Sequence, residues 1–375
     1  MNIHYDYQIL FNQKYGGISR YYYELINTIE RLHLAKTSIQ CKYSINYYFS
    51  GYDGVEDGRD FMKIKSPLVR RPLRLWGHLI NQAITRKNAK KADIVHLTYY
   101  RPYALNICNI KKILTVYDMI EELVIKDPKL DWHVKNKKRC IYESDHIIAI
   151  SENTKRDILR LYPDIDENKI TVIYIGTSMK SQEKLGDVGF EHNEKNITFP
   201  NRYILFVGQR GGYKNFDGFM KAAKQILLND KELSLLCIGG GTFSEEEISL
   251  LKDVKEQVYQ MNVDDEILAK AYSEAECFVF PSLYEGFGIP TLEAFTCGCP
   301  AVISNTSSMP EVGGDAVLYF DPKNIDEMRS QIEKILNDKE LRQQLIEKGK
   351  ERVKLFLWED IARQTVDCYK KVLNE

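Results

Sequence analysis

The sequence predicts an α/β protein whose parallel sheets are divided between two domains. A chain of 375 residues exceeds the size at which a single hydrophobic core usually divides. Short apolar runs bounded by polar turns alternate with helical patterns, which is typical of βαβ units and a parallel sheet. This alternation stops in a polar, aperiodic stretch at residues 181–200 and then begins again.

We expect the first domain to span residues 1–180. Ser151 is a plausible N-cap for one of its helices, and Pro163 would end that helix. The predicted elements are the helix Ile18–Arg31, the strands Ile94–Leu97, Ile113–Val116, His146–Ile150 and Thr171–Ile175, and the helix Glu152–Leu161.

Residues 181–200 are the predicted linker, 201–357 the second domain, and 358–375 a terminal helix. The predicted strands of this half are Tyr203–Val207, Leu233–Ile238 and Cys277–Phe280. The predicted helices are Phe216–Leu228, Pro290–Thr296, Ile325–Leu336 and Trp358–Val372.

Composition predicts a cytoplasmic protein. Hydrophobic content of 44% and charged content of 28% are ordinary for a globular chain, and no apolar run reaches eighteen residues. The first residues show no basic segment or cleavage site of a secretory signal. Eight scattered cysteines without a C-x-x-C pair favour reduced, buried thiols, and the lone C-x-C of Cys297 and Cys299 is too little to indicate a metal.

A basic segment suggests contact with a membrane surface. Nine basic residues and no acidic residue lie between Phe61 and Ala92. Within residues 63–91, apolar residues around Trp76 recur at helical spacing, and a basic amphipathic helix with a Trp suits an anionic lipid surface. The alternative is a surface helix whose apolar face packs on its own domain. Nucleic acid is not expected, because no nucleic-acid motif accompanies the charge.

The most informative motif is FPSLYEGFGIPTLEAFTCGCP, residues 280–300. It predicts a buried strand, a glycine-bearing turn and a helix with Pro290 in its first position. Free N–H groups at a helix N-terminus bind anions, and glycines let the backbone approach a ligand. Glu285 and Glu293 would face this crevice and accept hydrogen bonds from vicinal hydroxyls. The pattern therefore indicates a nucleotide-sugar site.

A second motif, FVGQRGGYKNF at residues 206–216, places Arg210 and Lys214 in a strand-to-helix turn. Ligands of open α/β sheets bind outside the carboxyl ends of the strands. Fixed cations at this position would stabilise the charge that a departing nucleoside diphosphate acquires.

These two motifs, together with SSMPEVGGDA at residues 307–316, resemble the retaining glycosyltransferases of family 4. The resemblance is dense from Tyr203 to Pro322. It implies the GT-B fold: two Rossmann-like domains whose parallel sheets face a central cleft, with the terminal helix returning to the N-terminal domain. It also implies that the N-terminal domain binds the acceptor and that the C-terminal domain binds the nucleotide sugar.

The resemblance implies the following site. Lys214 and Arg210 grip the diphosphate of the sugar donor, Glu285 holds sugar hydroxyls, and Glu293 accepts from the ribose. Catalytic residues would be Glu285, Lys214, Arg210, Asp118 and Tyr117. Residues that bind the sugar donor would be Gly16, Gly17, Gly208, Gln209, Arg210, Lys214, Met261, Glu285, Gly286, Phe287, Gly288, Ile289, Thr291 and Glu293. Arg210 lies one position later than the commonest family pattern, although V-G-x-R-x-x-Y-K-N resembles a mannosyltransferase subgroup.

The N-terminal half departs from the family at one position. Gly16 and Gly17 resemble the glycine loop at the first helix, and Arg20 and His96 are the candidate acceptor-binding residues. Close relatives often have V-H-D where this chain has Val116-Tyr117-Asp118. A phenol cannot supply a cation near neutral pH, so a proton-transfer role of a histidine there is in doubt.

The expected function is retaining transfer of a hexosyl group, mannose or a related deoxyhexose, from a nucleoside-diphosphate sugar. A GDP-sugar is favoured, and the acceptor would be lipid-linked or a polysaccharide of the cell surface, such as lipopolysaccharide O-antigen or capsule. No metal or other cofactor is expected. Two alternatives stay open: a sugar-nucleotide epimerase of the same fold, and a non-catalytic subunit that binds nucleotide sugars. The protein is expected at the inner face of the plasma membrane.

Overall fold

The computed structural model describes residues 1–62, 66–107, 109–180 and 198–374. The chain forms two compact units, Met1–Gly176 with Trp358–Glu375, and Thr177–Leu357. Residues 181–197 of the predicted linker and residues 63–65 of the basic segment lie outside the described residues.

The first unit contains a parallel sheet of six strands. Its strands are β1 (Asn2–Tyr5), β2 (Lys36–Ile39), β5 (Ile94–Leu97), β6 (Lys111–Val116), β7 (His146–Ala149) and β8 (Ile170–Val172). Two further strands, β3 (Cys41–Ser44) and β4 (Val55–Asp57), form a separate parallel pair. The order in the six-stranded sheet is β2-β1-β5-β6-β7-β8. The inner strands β5 and β7 are buried on both faces, which explains why each is apolar except for one buried histidine, His96 in β5 and His146 in β7.

Helices connect these strands in the βαβ manner. They are α1 (Gln8–Asn12), α2 (Gly17–Arg31), α3 (Arg59–Met62), α4 (Pro67–Ala89), α5 (Asp131–Glu143) and α6 (Glu152–Leu161). The Ser151 side chain caps α6 by accepting a hydrogen bond from the Thr154 N–H, as its sequence position predicts.

The second unit contains another parallel sheet of six strands. They are β9 (Tyr203–Val207), β10 (Ser234–Ile238), β11 (Val258–Met261), β12 (Cys277–Phe280), β13 (Ala301–Ser304) and β14 (Val317–Phe320). The order is β11-β10-β9-β12-β13-β14, so the chain reverses its direction of travel across the sheet between β9 and β12.

The helices of the second unit cover both faces of this sheet. They are α7 (Phe216–Asn229), α8 (Glu245–Leu251), α9 (Asp265–Glu274), α10 (Ile289–Thr296), α11 (Met309–Gly313), α12 (Ile325–Asn337) and α13 (Lys339–Arg352). Phe206 of β9 packs on Phe216 and Phe219 of α7 at ring-centroid distances of 5.1 and 5.8 Å, in the core of the unit.

The terminal helix α14 (Trp358–Asn374) belongs to the first unit. Its Tyr369 hydroxyl is 3.1 Å from that of Tyr5, its Trp358 ring packs on Tyr21, and Arg31 of α2 pairs with Glu359 at 2.5 Å. This helix therefore packs on α2 and reaches Tyr5 of β1. We call the buried rings of Tyr5, Tyr21, Tyr22, His96, Tyr117 and Tyr369 the aromatic core.

The predicted α/β fold class, with a parallel sheet in each unit, is confirmed. Two details are corrected: Pro290 is the second residue of α10, not the first, and the strand expected at Thr171–Ile175 is β8, which ends at Val172. The sequence analysis also missed several strands. These are β1, β2, β3, β4, β11, β13 and β14. They are only three or four residues long, and a short run does not by itself distinguish a strand from part of a helix.

Candidate active site

The second sheet has a topological switch point between β9 and β12. From β9 the chain moves outward to β10 and β11, whereas β12 lies on the opposite side of β9. Ligands of open α/β sheets bind beyond the carboxyl ends of the strands at such a reversal. The segment after β9 contains Lys214, and the segment after β12 contains Glu285.

Lys214 and Glu285 form an ion pair at this switch point. Lys214 Nζ lies 2.7 Å from Glu285 Oε1, and the two side chains are 20% and 11% exposed. The ammonium also lies over the rings of Tyr213 and Phe280, at 5.1 and 5.5 Å from their centroids. The structure thus joins two residues 71 positions apart and leaves the pair partly open to solvent. A cation and a hydroxyl-accepting carboxylate are therefore available within one site.

Asn215 fixes the turn that presents Lys214. It adopts a left-handed conformation with φ of 56°, and its Nδ2 donates to the carbonyls of Pro281 at 3.1 Å and Pro322 at 2.8 Å. The Leu283 N–H also donates to the Tyr213 carbonyl at 2.7 Å. Asn tolerates the left-handed region better than most residues. The sequence analysis used Asn215 only as part of a motif and missed this positioning role.

Two serines hold the loop that contains Glu285. Ser307 Oγ accepts a hydrogen bond from the Glu285 N–H at 2.9 Å, and Ser308 Oγ lies within 2.9 Å of the Glu285 carbonyl and 2.8 Å of the Phe287 carbonyl. Ser307 has a φ of 53°, which is uncommon for a residue other than glycine. Their segment resembles the family in sequence, but nothing in that resemblance indicates that the two serines contact residues more than twenty positions earlier in the chain.

The helix α10 begins beside this loop. Gly288, its N-cap, has a φ of 109°, and a Cβ there would lie 3.0 Å from Met309 Sδ, so both conformation and space favour glycine. The hydroxyl of Thr291 is buried and has no hydrogen-bond partner within the described part of the chain. Glu293 lies one turn after the start of α10, and its carboxylate accepts a hydrogen bond from the Tyr272 hydroxyl at 3.2 Å.

The polar contacts of Arg210 are with a glycine loop and with Glu247, and not with the Lys214–Glu285 pair. Its guanidinium pairs with Glu247 at 2.7 Å and donates to the carbonyls of Gly239 and Gly241 at 2.8 Å and of Thr242 at 2.9 Å. The residue is only 5% exposed. These contacts stabilise the loop after β10, which differs from the diphosphate-binding role that the resemblance implies.

A cavity of about 440 Å³ borders Arg210 and the N-terminus of α7. Gln209, Asp217, Glu246 and Glu247 also line it, whereas Lys214, Glu285 and Glu293 do not. Three carboxylates in one cavity repel a polyphosphate, so this cavity is a poor candidate for the diphosphate site.

The remaining candidates of the second unit lie at the same edge of the sheet. Gly208, with a φ of 124°, directly follows β9, and Gln209 is exposed beside it. Met261 is the last residue of β11, and its carbonyl accepts from the Gly239 N–H at 3.0 Å. Gly286, Phe287 and Ile289 lie in or next to the serine-clamped loop.

The switch point of the first sheet, between β1 and β5, is filled by a buried network. Asp6 Oδ1 accepts from the Thr98 N–H at 3.1 Å and from the Gln8 N–H at 3.2 Å, and Gln8 Nε2 donates to Asp6 Oδ2 at 2.5 Å. All three residues are fully buried. Burial raises the pKa of Asp6 to about 6, against the opposing effect of these hydrogen bonds.

His96 lies in the aromatic core and is fully buried. Its Nδ1 is 2.6 Å from the Tyr369 hydroxyl, and its Nε2 is 2.8 Å from Thr115 Oγ1. Burial lowers the pKa of His96 to about 3, so the ring is neutral. Both ring nitrogens of His96 are thus engaged within the buried core, which favours a structural role, and its contact with the acceptor stays a prediction.

Tyr117 is also buried, among the rings of Tyr21, Tyr22 and Tyr100. Burial raises the pKa of its hydroxyl well above the usual range. Its backbone N–H donates to the Tyr100 hydroxyl at 3.1 Å. Tyr117 therefore stays a neutral phenol in this environment.

Asp118 is partly exposed and joins an ionic cluster around Lys137. The Lys137 Nζ, fully buried, lies 2.9 Å from Glu121, 3.1 Å from Glu122 and 3.7 Å from Asp118. Burial raises the pKa of Asp118, and Lys137 only partly offsets this. The sequence analysis missed Lys137, which holds the segment after β6 in place.

Gly16, Gly17 and Arg20 lie at the start of α2. Gly16 is the N-cap, and its carbonyl accepts from the Arg20 N–H at 3.0 Å. Gln13 Oε1 accepts from the Ser19 N–H at 3.2 Å, and a Cβ on Gly16 would lie 2.6 Å from that same oxygen. A side chain at position 16 would therefore require the Gln13 amide to move.

Over the described ranges, no group of three or more His, Cys, Asp and Glu side chains is arranged to hold a metal ion. Over the same ranges, every helix is too short or too polar to cross a membrane.

Comparison with known proteins gives a consistent result. Family models match residues 15–180 as Glycosyltransferase Family 4 and residues 188–352 as Glycosyl transferases group 1. O-antigen chain mannosyltransferase B of Escherichia coli is 30% identical over 320 residues, which cover 82% of this chain and 81% of that protein. Serotype-specific mannosyltransferase WbdA of Escherichia coli is 25% identical over 278 residues, but these cover only 34% of that longer protein. Sucrose-phosphate synthase of Thermosynechococcus elongatus has the same fold, with a TM-score of 0.72, 18% identity, and coverage of 100% of this chain and 99% of that one.

Proposed function

This chain belongs to the glycosyltransferases of family 4 and has the GT-B fold, and we propose that it transfers a mannosyl group from GDP-mannose to a growing cell-surface glycan. The observation that carries the proposal is the Lys214–Glu285 pair at the switch point of the second sheet. The second unit would bind the sugar donor and the first unit the acceptor. The mannosyl assignment is supported by the names of the two mannosyltransferases to which the chain is similar.

In the proposed mechanism, Lys214 stabilises the departing diphosphate. Cleavage of the anomeric C–O bond leaves both bonding electrons on the diphosphate, and the ammonium offsets the charge that develops there. When the diphosphate binds, Lys214 exchanges part of its interaction with Glu285 for the phosphate oxygens. Glu285 is then free to accept hydrogen bonds from sugar hydroxyls.

The N-terminus of α10 supplements this charge. Its first N–H groups have no intrahelical partners and bind anions. Gly288 allows a ligand to approach the backbone, the buried Thr291 hydroxyl is available to donate, and Glu293 would accept from the ribose. We propose front-face displacement with retention of the anomeric configuration: the acceptor oxygen bonds to the anomeric carbon on the face that the diphosphate leaves, and the acceptor proton passes to the departing diphosphate. No covalent enzyme intermediate and no metal ion take part.

The acceptor would be lipid-linked, and helix α4 would contact the inner face of the plasma membrane. The helix buries polar residues, His78, Asn81 and Thr85, against its own unit, and exposes apolar ones. Leu75, Trp76 and Leu79 are 51–64% exposed, and Leu68 is 87% exposed. The alternative of an apolar face packed on its own domain therefore does not describe these side chains. Exposed basic residues flank them, as expected for an anionic lipid surface.

A transfer assay with a panel of nucleotide sugars tests the proposed reaction. In a thermal-shift screen with the same panel, we expect GDP-mannose to raise the melting temperature of the protein most, because a ligand that binds the folded state preferentially stabilises that state. With an α-mannoside acceptor, the product should carry an axial anomeric bond, and EDTA should not lower the rate. An equatorial product would exclude retention, and an epimerised sugar nucleotide formed without acceptor would favour the epimerase.

Sedimentation with lipid vesicles tests the membrane contact. We expect binding to vesicles containing phosphatidylglycerol, weak binding to pure phosphatidylcholine, and loss of binding for Trp76→Ala with Leu79→Ala. Trp132→Ala is a matched control, since Trp132 is 59% exposed elsewhere on the first unit. Equal loss in the control, or unchanged binding of the double variant, would remove α4 from the proposal.

A further inference from the structure

We infer that Tyr15 and the groups stacked behind it form a subsite for a sugar ring of the acceptor glycan. We call Tyr15, Tyr47, Tyr48 and Arg59 the aromatic shelf. The inference rests on the proposed function, because it assigns the sugar-binding part of the acceptor site in the first unit.

The shelf is a layered stack of planar groups. The rings of Tyr15 and Tyr47 are parallel to within 2°, with centroids 4.4 Å apart. The Arg59 guanidinium lies 4.6 Å from the centroid of Tyr47, and the Tyr48 ring meets Tyr15 edge-on at 5.8 Å. Tyr15 is the outer layer, because it is 62% exposed whereas Tyr47 is 38% exposed.

Hydrogen bonds hold the layers in register. The Tyr47 N–H donates to the Lys14 carbonyl at 3.0 Å, and Asn46 Nδ2 donates to the Gln13 carbonyl at 2.9 Å. Arg59 Nε donates to both carboxylate oxygens of Asp57 at 2.8 Å. The segment that contains Tyr15 is therefore fixed to the segment that contains Tyr47. A ring held in this way loses little conformational entropy when a ligand covers it.

The chemistry of this surface suits a sugar. A pyranose has a face of C–H groups that packs flat on an aromatic ring, and a rim of hydroxyls that needs polar partners. Tyr15 offers an exposed flat ring with a hydroxyl at its edge. The three residues that precede it in the chain, Asn12, Gln13 and Lys14, are polar.

The location agrees with the proposed acceptor. Tyr15 directly precedes Gly16 and Gly17, the turn that begins α2. Arg74 of the basic helix α4 donates to Asn12 Oδ1 at 3.4 Å, three residues before Tyr15. The shelf therefore adjoins the helix proposed to contact lipid. An acceptor whose lipid end is in the membrane could place its sugar rings on Tyr15.

Binding of α-linked manno-oligosaccharides of one to five sugars tests the inference. Saturation-transfer NMR would detect ring contacts, and calorimetry would give the affinity for wild type, Tyr15→Phe and Tyr15→Ala. We expect Tyr15→Ala to weaken binding and to raise the acceptor KM by about 3- to 10-fold, the equivalent of one aromatic stacking contact. Tyr15→Phe should retain most of the affinity. Tyr259→Ala, at an exposed tyrosine of the second unit, should change nothing.

The affinity of Tyr15→Ala for GDP-mannose should equal that of wild type, which separates acceptor binding from loss of the fold or of the donor site. Wild-type affinity of Tyr15→Ala for the oligosaccharides, or failure of wild type to bind the whole series, would overturn the inference. The proposed function would survive the first result if Lys214→Ala still abolished transfer. Conversely, oligosaccharide binding that depends on Tyr15 in a protein that transfers no sugar would contradict the proposed function alone.

Discussion

The two parallel sheets use equivalent positions in opposite ways. In the second unit, the switch point holds Lys214 and Glu285, an ion pair partly open to solvent. In the first unit, the switch point holds Asp6, Thr98 and Gln8, a fully buried network. Both sites pair a carboxylate with hydrogen-bond donors at the ends of neighbouring strands. Only the pair in the second unit is accessible to a ligand.

This difference indicates that polar groups at a strand end can bind a ligand only where they can exchange their contacts within the protein for contacts with the ligand. The Lys214–Glu285 pair can release one partner to a ligand, because water and the ligand can replace the lost interaction. Releasing Asp6 would leave a buried carboxylate without partners, which is costly. The first switch point therefore stabilises the fold, and four substitutions test the contrast.

The largest expected effect is on catalysis at the second switch point. Lys214→Ala should lower kcat by about 100- to 1000-fold, because one preorganised cation at the departing diphosphate is lost. Its melting temperature should stay close to that of wild type. Lys224→Ala is the control, since Lys224 forms an ion pair with Asp253 on the same unit. Steady-state rates with GDP-mannose would measure this effect. Near-normal turnover of Lys214→Ala would contradict the proposed role of Lys214 at the departing diphosphate.

The next effect concerns Arg210 and should be on stability. Arg210→Gln should lower the free energy of unfolding by roughly 3 kcal/mol, because Glu247 loses its partner in a mostly buried pair. The KM for GDP-mannose should change little. Arg202→Gln is the control, since Arg202 is a more exposed arginine that pairs with Asp230 and Glu276. An unchanged melting temperature together with a raised KM would instead support the diphosphate-binding role implied by the resemblance.

The buried network of the first unit should appear in the pH dependence of stability. Because burial raises the pKa of Asp6 to about 6, the folded protein binds more protons than the unfolded chain between about pH 4 and pH 6. The free energy of unfolding should therefore fall as pH rises through this window, by an amount on the order of 2 kcal/mol. Asp6→Asn should remove this part of the pH dependence.

Melting temperatures of wild type and Asp6→Asn from pH 4 to pH 7 would measure the contribution of Asp6 to the pH dependence of stability. Asp53→Asn is the control, since Asp53 is an exposed carboxylate of the same unit. Parallel curves for wild type and Asp6→Asn would show that Asp6 has the same pKa in the folded and unfolded states.

The smallest effect should come from the serine clamp. Ser308→Ala removes a hydroxyl that lies within hydrogen-bond distance of two carbonyls of the Glu285 loop, which should cost about 1 kcal/mol of stability and lower kcat several-fold. Ser273→Ala, at an exposed serine that donates to the Lys270 carbonyl, should do neither. A rate for Ser308→Ala equal to that of wild type would show that the loop keeps its geometry without the clamp.

Prediction from sequence succeeded where a local pattern has a local physical cause. The strand Cys277–Phe280, the helix Glu152–Leu161 with its Ser151 cap, and the glycines of the turns follow from such patterns. It was least successful for the short strands β11, β13 and β14, and for side-chain direction. Nothing local indicates that Arg210 turns towards Gly239–Thr242, or that Ser307 contacts Glu285.

The α/β fold class and the family could be predicted from the sequence alone, and Lys214, Glu285 and Glu293 could be proposed as site residues, because motif spacing within strand-to-helix turns is a local property of the chain. Only the tertiary structure decided which polar groups meet, how deeply they are buried, and which rings of the first unit face solvent. The reason is physical: pairing and burial depend on residues distant in sequence, and these determine whether a carboxylate at a strand end is held in a closed network or left accessible to a substrate.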